Sequence, residues 1–452
     1  MSDYIYMLES HLSPQQNRAV AMVQRAAADA GLNLFLTGGA MRDMLAGARV
    51  RDLDFVVEGN ALPLAKALAA AGVTIVATDD ARKLAWLLFP GGVTAKIGMA
   101  RREKPGRSGG KPQISPATIQ EDLRGRDFTC DAIALSLNKA SRGLLLDPLN
   151  GLADIERKEL RAASPYGFLD DPARLLRLTR FRVRLNFAVE ERTQTQAATA
   201  REAGVAKSIS PQVLGEELRQ MGFDDNPSEI LKLLEENGLI TLFSPALSGA
   251  KLNLGGIVKL EKGARLLPDD PPFRSARLAP FLYALTEKLS TRERQALVKA
   301  VQLPKADLLQ WQKLETRAKK LESALRSARI RKPSQVYHLV EAAAPEEVLF
   351  LLYHSTLKPV LERLRSHFQK YLPAVQEITA EEWAKVEGTP GSPRYQKARH
   401  EFITQRLDRR PPKPPALPQA PPPEPPPAPA PSRGSGWRAQ PGVAPRRARA
   451  QA

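Results

Sequence analysis

Residues 36 to 55, L-T-G-G-A-M-R-D-M-L-A-G-A-R-V-R-D-L-D-F, hold a glycine pair, an Arg–Asp pair and two carboxylates. Asp52 and Asp54 are one residue apart in a stretch that turns apolar at Phe55, Val56 and Val57. On a strand, alternate residues point the same way, so both carboxylates face one side of the sheet. Two carboxylates that close hold a hard divalent cation such as Mg²⁺. Gly38 and Gly39 follow a candidate strand, Leu34–Leu36, and open a short helix carrying Arg42 and Asp43. A phosphate can there approach backbone N–H groups at a helix N-terminus. A phosphate cradle beside a metal pair is the equipment of phosphoryl or nucleotidyl transfer. Taken singly, G-G-x-x-R-D equally suits a turn with a helix cap, and D-x-D a solvated strand end.

Three downstream segments bear on that choice. Glu121 to Ala132, E-D-L-R-G-R-D-F-T-C-D-A, has apolar positions that suit a buried helix with Arg126 and Asp127 within it. Asp147 to Ile155, D-P-L-N-G-L-A-D-I, reads as a turn joining a sheet to a helical region. Phe168 to Phe181, F-L-D-D-P-A-R-L-L-R-L-T-R-F, places Pro172 in a first helical turn with Asp170 or Asp171 at the cap. Asp171 and Arg174 are three apart, hence on one face of that helix, where a plain salt bridge is the simplest reading.

In this order and spacing, over roughly residues 30 to 245, the four segments resemble the class II tRNA nucleotidyltransferase (CCA-adding) and bacterial poly(A) polymerase family. The resemblance implies a polymerase-beta-like α+β fold: a nucleotidyltransferase head with a small mixed sheet and helices, then an all-helical neck and body. It makes G-G-x-x-R-D with D-x-D the catalytic motif and R-R-D-F-T-x-N-A the ribose and phosphate motif. D-P-x-x-G-x-x-D becomes the hinge between head and neck, and E-D-x-x-R running into L-R-x-x-R-F the base-reading helix. The D-D-P form here looks like the branch that includes separate A-adding and CC-adding enzymes. Three positions depart from the pattern. Gly125 stands for the first arginine of R-R-D, Asp131 for the asparagine, and Lys96 where the strand before Arg101–Glu103 usually carries an acid.

The roles implied follow residue by residue. Asp52 and Asp54 are catalytic and hold Mg²⁺. Gly38, Gly39 and Arg42 hold phosphates, with Asp43 fixing Arg42 by an ion pair. Arg126 and Asp127 hold phosphate and ribose hydroxyls. Asp171 and Arg174, with Arg177 and Arg180 on the same helix, bind the nucleotide. A carboxylate accepts from the exocyclic amine of C or A, while a guanidinium donates to the adjacent ring nitrogen; G and U present the reverse order. The implied partners are tRNA, at its 3′ end and acceptor stem, with CTP and ATP. Poly(A) addition to general RNA, or an RNA-binding relative that has lost catalysis, with Lys96 as its mark, are the alternatives.

Composition agrees with a polyanionic partner. The 452 residues carry 67 Lys and Arg against 49 Asp and Glu, a net charge of +18. The last 44 residues explain part of it, but residues 1–408 alone still carry +11. One cysteine, Cys130, excludes internal disulfides and cysteine zinc clusters and suits a reducing cytoplasm. The five histidines show no metal-ligand spacing. Neither a signal peptide nor an 18-residue apolar run is read, so a cytoplasmic protein without a membrane contact is expected.

The elements that must position these residues are legible from periodicity. A leading amphipathic helix is expected over 14–30, and strands near Leu34–Leu36, Leu53–Val57, Val73–Ala77, Leu84–Phe89, Val93–Met99 and Leu144–Leu146. These define a head over 1–150. Strand signals stop there. Helical periodicity then runs through Arg174–Leu185, Pro211–Met221, Glu229–Glu236, Phe281–Leu289, Arg292–Val301, Ala306–Arg326 and Glu347–Leu352, giving a neck over 151–245 and a body over 246–408. The glycine-rich, basic insert Arg101–Pro116 reads as a mobile loop, and in the family such a loop serves the switch to the final A. Residues 409–452 hold fifteen prolines and few large apolar side chains, so they read as a disordered basic tail.

Overall fold

The computed structural model describes residues 3–48, 50–104, 113–268, 271–389 and 391–409. The chain divides into two units, Met1–Asp408 and Arg409–Ala452. The centre of the Arg101–Pro116 insert and the proline-rich tail after Arg409, read above as mobile and disordered, lie outside the described residues.

Eleven strands occur among the described residues. They are β1 (Asn33–Thr37), β2 (Leu53–Glu58), β3 (Thr74–Asp79), β4 (Leu84–Phe89), β5 (Val93–Met99), β6 (Arg101–Lys104), β7 (Gln113–Pro116), β8 (Ala134–Ser136), β9 (Leu145–Leu146), β10 (Glu159–Leu160) and β11 (Ala188–Val189). Seven form one mixed sheet in the order β3-β4-β5-β2-β1-β8-β9. Only the β2–β5 pairing within it is parallel, and β1 lies antiparallel between β2 and β8.

The two faces of this sheet carry separate cores, sorted by the two-residue period of the strands. Leu34, Leu36, Phe55 and Val57 enter the main core, together with Val20 and Val23 of the helix Pro14–Asp29. That helix starts where Ser13 and Gln16 form a reciprocal cap. Phe35 and Val56 point the other way, into a small cluster closed by Ile119, Leu123, Ala132 and Ala134. Asp54 precedes Val56 by two residues, so it shares this second face. The segment that covers that face therefore also covers the carboxylate.

Three expectations need correction. The segment Glu121–Ala132 is not one helix: the helix is Ile119–Arg124, closed at Gly125, and a 3-10 turn Thr129–Asp131 follows. Arg126 and Asp127 thus lie between helices, in chain that bridges to 161–163 through Phe128–Ala162 and Thr129–Arg161 contacts. Gly125 lacks a side chain to prolong the helix, and Phe128 is drawn away into the core. The described ends of the basic insert form the hairpin β6–β7, pinned by Glu103 to both Arg82 and Arg101. Strands also continue past residue 150: β10 and β11 pair in parallel beside the helix Arg174–Leu185. Two-residue strands are too short to show a period.

The rest of the described chain is helical. Observed helices such as Pro211–Phe223, Pro227–Glu236, Lys305–Arg326 and Pro345–His354 extend the expected ones by a few residues. Proline at the first position opens three of them, where its missing N–H costs nothing. Helices Asp3–His11, Glu191–Glu202, Leu254–Ala264, Pro333–Glu341, Lys358–Ser366 and Pro393–Asp408 were not foreseen. Among the described residues, no helix is long and apolar enough to cross a membrane.

Candidate active site

Asp54 stands in β2 with Lys96 opposite it on β5, and Asp52 sits one residue before the strand. The Thr94 hydroxyl donates to Asp52 Oδ1 at 2.6 Å. Thr94 and Lys96 alternate with Ala95 just as Asp52 and Asp54 alternate with Leu53, so both carboxylates lie on one face as expected. Asp54 Oδ1 is buried and accepts no hydrogen bond; its nearest charge is Lys96 Nζ at 3.7 Å. Asp54 draws the half-exposed Lys96 ammonium above its ordinary pKa against the cost of its burial, and Asp52 adds to that pull.

The glycine pair closes on the same carboxylate. Gly38, at φ +62°, begins the helix Gly38–Leu45, and a Cβ there would lie 3.3 Å from Asp54 Oδ2 and 3.9 Å from Arg126 Nη1. A Cβ on Gly39 would lie 3.7 Å from the same oxygen. Any side chain at Gly38 would be strained in backbone as well as crowded. The residues fit a divalent cation on two counts: the buried Asp54 Oδ1 lacks a donor, and side-chain-free backbone borders Oδ2 of the same carboxylate. Among the described residues no group of three or more His, Cys, Asp or Glu could hold a metal. A cation here would complete its shell with water and phosphate, as Mg²⁺ commonly does.

Arg42 does not reach out to a phosphate in this structure. Its Nε and Nη2 bond Asp43 Oδ1 at 3.0 and 2.8 Å, and its Nη1 bonds Asp131 Oδ1 at 2.6 Å. The side chain is 3% exposed and lies 5.2 Å from the Phe181 ring centroid. Burial opposes its charge, but Asp131 and then Asp43 outweigh it and raise the pKa. Burial also raises the Asp131 carboxyl, against the pull of Arg42. Asp131 stands where the resemblance expects asparagine, so a second negative charge holds this arginine from the far side.

Asp127 is the hub of a second network. Arg174 Nε approaches its Oδ1 at 2.9 Å, and Arg177 Nη1 bonds its Oδ2 at 2.6 Å. Arg177 also pairs with Asp171 and lies 3.5 Å from Glu217. Arg180 is buried between Glu217 at 2.8 Å and Asp224 at 3.0 Å. Arginines at 174, 177 and 180 recur every three residues and so line one face of the helix Arg174–Leu185. Burial works against the charges of Arg177 and Arg180, yet the nearby carboxylates, Asp127 foremost for the former and Asp224 for the latter, raise the pKa of both. The Asp171–Arg174 salt bridge of the simplest sequence reading is absent. Asp171 lies before the helix, where its Oδ1 accepts from Ala173 N, and it reaches Arg177 instead. Arg174 turns to Asp127 and to the Gly125 carbonyl at 3.1 Å.

Arg126 stands beside the glycine pair. It bonds Asp122 Oδ1 through Nε and Nη2 at 2.9 and 2.6 Å, while its Nη1 lies near Gly38. The structure thus gathers Gly38, Gly39, Asp54, Lys96 and Arg126 in one place, and Asp127, Asp171, Arg174 and Arg177 in another. Arg180 is sealed behind the second group. Sequence reasoning missed Thr94, Asp122, Glu217, Asp224 and Phe181. The i, i+4 spacing of Asp122 and Arg126 was a usable signal; the others meet only through the fold. Two cavities, of about 580 Å³ beside Arg182, Asn186 and Asn226 and about 240 Å³ beside Leu8 and Arg142, lie elsewhere.

Residues 34–161 match the Poly A polymerase head domain family. A CC-adding tRNA nucleotidyltransferase of Deinococcus radiodurans is 32% identical over 291 residues, which are 64% of this chain and 75% of that protein. The chain belongs to the tRNA nucleotidyltransferase family. An A-adding tRNA nucleotidyltransferase of Aquifex aeolicus is 39% identical over 202 residues, 45% of this chain but only 24% of that protein. The chain therefore spans about a quarter of the length of that relative. A crystal structure of a tRNA nucleotidyltransferase complexed with a primer tRNA and an incoming ATP analog is 27% identical, with a TM-score of 0.50 over 79% of this chain and 99% of that one. Relatives of both A-adding and CC-adding kinds match, so likeness alone leaves the added nucleotide open.

Proposed function

We propose that this chain is a template-independent nucleotidyltransferase that adds C, A or both from CTP and ATP to the 3′ end of tRNA, with Mg²⁺ at Asp52 and Asp54. The observation that carries the reading is the Asp54 carboxylate, whose Oδ1 is buried without a hydrogen bond and whose Oδ2 faces the Gly38–Gly39 backbone beside Arg126. In the reaction the RNA 3′-hydroxyl attacks the α-phosphorus; the P–O bond to pyrophosphate breaks as the new phosphodiester forms. Bound Mg²⁺ would lower the pKa of the attacking hydroxyl and neutralise charge on the triphosphate. Asp52 and Asp54 hold it, with Asp52 oriented by Thr94. Gly38 and Gly39 leave room for phosphate oxygens at the start of their helix. Arg126, already aimed at Gly38, adds a positive charge there. Arg42, held on both edges, supports this wall by packing rather than by touching phosphate.

Base choice falls to Asp171 and Arg174. The Asp171 side chain is 44% exposed and can accept from an exocyclic amine. Arg174 can donate to the neighbouring ring nitrogen while Asp127 fixes its plane. The net positive charge of residues 1–408 favours binding an RNA backbone.

The test is incubation with tRNA ending before CCA, supplied with CTP, ATP or both, followed by sequencing of the added nucleotides. Addition confined to C, to A, or running C-C-A identifies the product. Equal extension of unrelated RNA ends would instead assign a poly(A) polymerase, and no extension would refute the enzyme.

A further inference from the structure

Lys96 is placed to do more than mark a departure from a pattern. It is the residue registered directly across from Asp54, its Nζ is 3.7 Å from the Asp54 oxygen that accepts no hydrogen bond, and it remains half-exposed. Its electrostatic neighbours are Asp54 and Asp52, with Glu216 from the helix Pro211–Phe223 adding attraction and Arg126 opposing it. An ammonium at 3.7 Å without a hydrogen bond balances charge but does not saturate the oxygen.

We infer that Lys96 is the resident counter-cation of the carboxylate pair, so that a divalent ion reaching Asp54 exchanges with the ammonium rather than entering an empty site. This rests on the assignment of Asp52 and Asp54 as metal ligands. Before nucleotide arrives, the ammonium competes with the ion, and divalent cations bind weakly. When a triphosphate arrives, its oxygens offer the displaced ammonium a new anionic partner beside the glycine backbone. Metal and nucleotide thereby favour each other's binding, and by linkage the coupling is reciprocal. Lys96 is a positioning residue in this account, acting through Asp54.

The experiment is titration of the full chain with Mn²⁺ alone, read by electron paramagnetic resonance of free Mn²⁺, and again with a non-hydrolysable CTP analogue present. Wild type, Lys96→Met, Lys96→Arg and Asp54→Asn are compared. Lys96→Met should bind Mn²⁺ alone about tenfold more tightly, the size of effect expected for removing a partly screened charge at this distance. Its gain in affinity on adding the analogue should shrink by a similar factor. Lys96→Arg keeps the charge and should stay near wild type, and Asp54→Asn should lose the Mn²⁺ site. Lys96 is half-exposed, so its replacement leaves the buried core untouched. If Lys96→Met binds Mn²⁺ as wild type does while Asp54→Asn loses it, the counter-cation is refuted and the metal assignment stands. If Asp54→Asn and wild type bind Mn²⁺ alike, both are refuted.

Discussion

The networks around Asp54 and around Asp127 treat charge in opposite ways. Around Asp54, one buried carboxylate oxygen is left without a donor, the Lys96 ammonium is too far from it for a hydrogen bond, and glycine backbone and Arg126 lie beside the other oxygen. Around Asp127, three arginines meet four carboxylates at hydrogen-bonding distances for most of their contacts. An unsatisfied buried carboxylate is costly unless something outside the chain completes it. The second network is not complete either, for Arg174 Nε and Arg177 Nε are buried without a hydrogen bond, but its many ion pairs are costly to break and hold their members in place. The first arrangement suits a site that takes up a cation; the second suits a rigid frame against which a base can be measured. In the proposed function, their difference separates the groups assigned to the chemistry from those assigned to the choice of nucleotide.

The largest expected effect lies on the cation side. Asp54→Ala or Asp52→Ala should lower nucleotide addition by about a thousandfold or more, because the charge stabilising the transition state is lost. Circular dichroism and tRNA binding should stay near wild type, since neither carboxylate holds the core. Retention of most of the activity in either variant would break the comparison at its first term.

The frame should register as stability. Arg180 is buried with Glu217 and Asp224, so Arg180→Ala leaves Asp224 buried without its cation and Glu217 with Arg177 alone at 3.5 Å. The unfolding free energy should fall by about 3–5 kcal/mol, measured by urea titration. A fall below about 1 kcal/mol would show that water enters and that the frame is softer than its distances imply.

His367 offers a third treatment of buried polarity, for it has no counter-charge in contact. Burial pushes its pKa down to about 4, with Glu341 opposing weakly, and its Nδ1 has no hydrogen-bond partner. Between pH 6.5 and 4 the unfolded chain binds a proton that the folded chain refuses, so this histidine makes stability fall as pH drops through that window. His367→Phe should make the acid-side loss shallower, by about 1–3 kcal/mol at pH 4, in urea titrations across pH. An unchanged slope would mean that His367 titrates normally.

The smallest effect concerns the tail. Truncation after Asp408 should leave turnover and the cooperativity of unfolding nearly unchanged. tRNA affinity should weaken modestly and its salt dependence should flatten, because eight basic residues are removed with one acid. Loss of cooperative unfolding would show that the tail is structural.

The legible part of this molecule is the part written locally. The D-x-D spacing placed Asp52 and Asp54 on one face because strand alternation is a two-residue rule, and the glycine pair was found because backbone approach needs it. Several helices of ten or more residues with a clear apolar stripe, such as Pro211–Phe223 and Lys305–Arg326, are legible to within a few positions. Beyond the Arg42–Asp43 ion pair, partner choice was not legible. Arg174 pairs with Asp127, 47 positions away in sequence, rather than with Asp171, because the chain between Arg124 and Phe128 leaves its helix at Gly125 and swings Asp127 under the arginines. Nothing in the sequence signalled that Arg42 is also held by Asp131, a pairing that depends on the 3-10 turn at Thr129–Asp131. Glu217 and Asp224 gave no signal, since ordinary charges on a helix become partners of Arg180 only through packing.

One measurement tests the division most directly: kcat/KM for CTP, ATP, UTP and GTP on a single tRNA primer ending before CCA, for wild type, Asp54→Asn and Arg174→Ala. Asp54→Asn should depress every nucleotide alike and leave their ratios intact. Arg174→Ala should lower the rate and also relax the preference for C and A by about tenfold to a hundredfold, the range for one well-made bidentate discrimination of about 1–3 kcal/mol. If Arg174→Ala lowers all four equally, the arginine is part of the frame alone and the assignment of base choice to this network is contradicted.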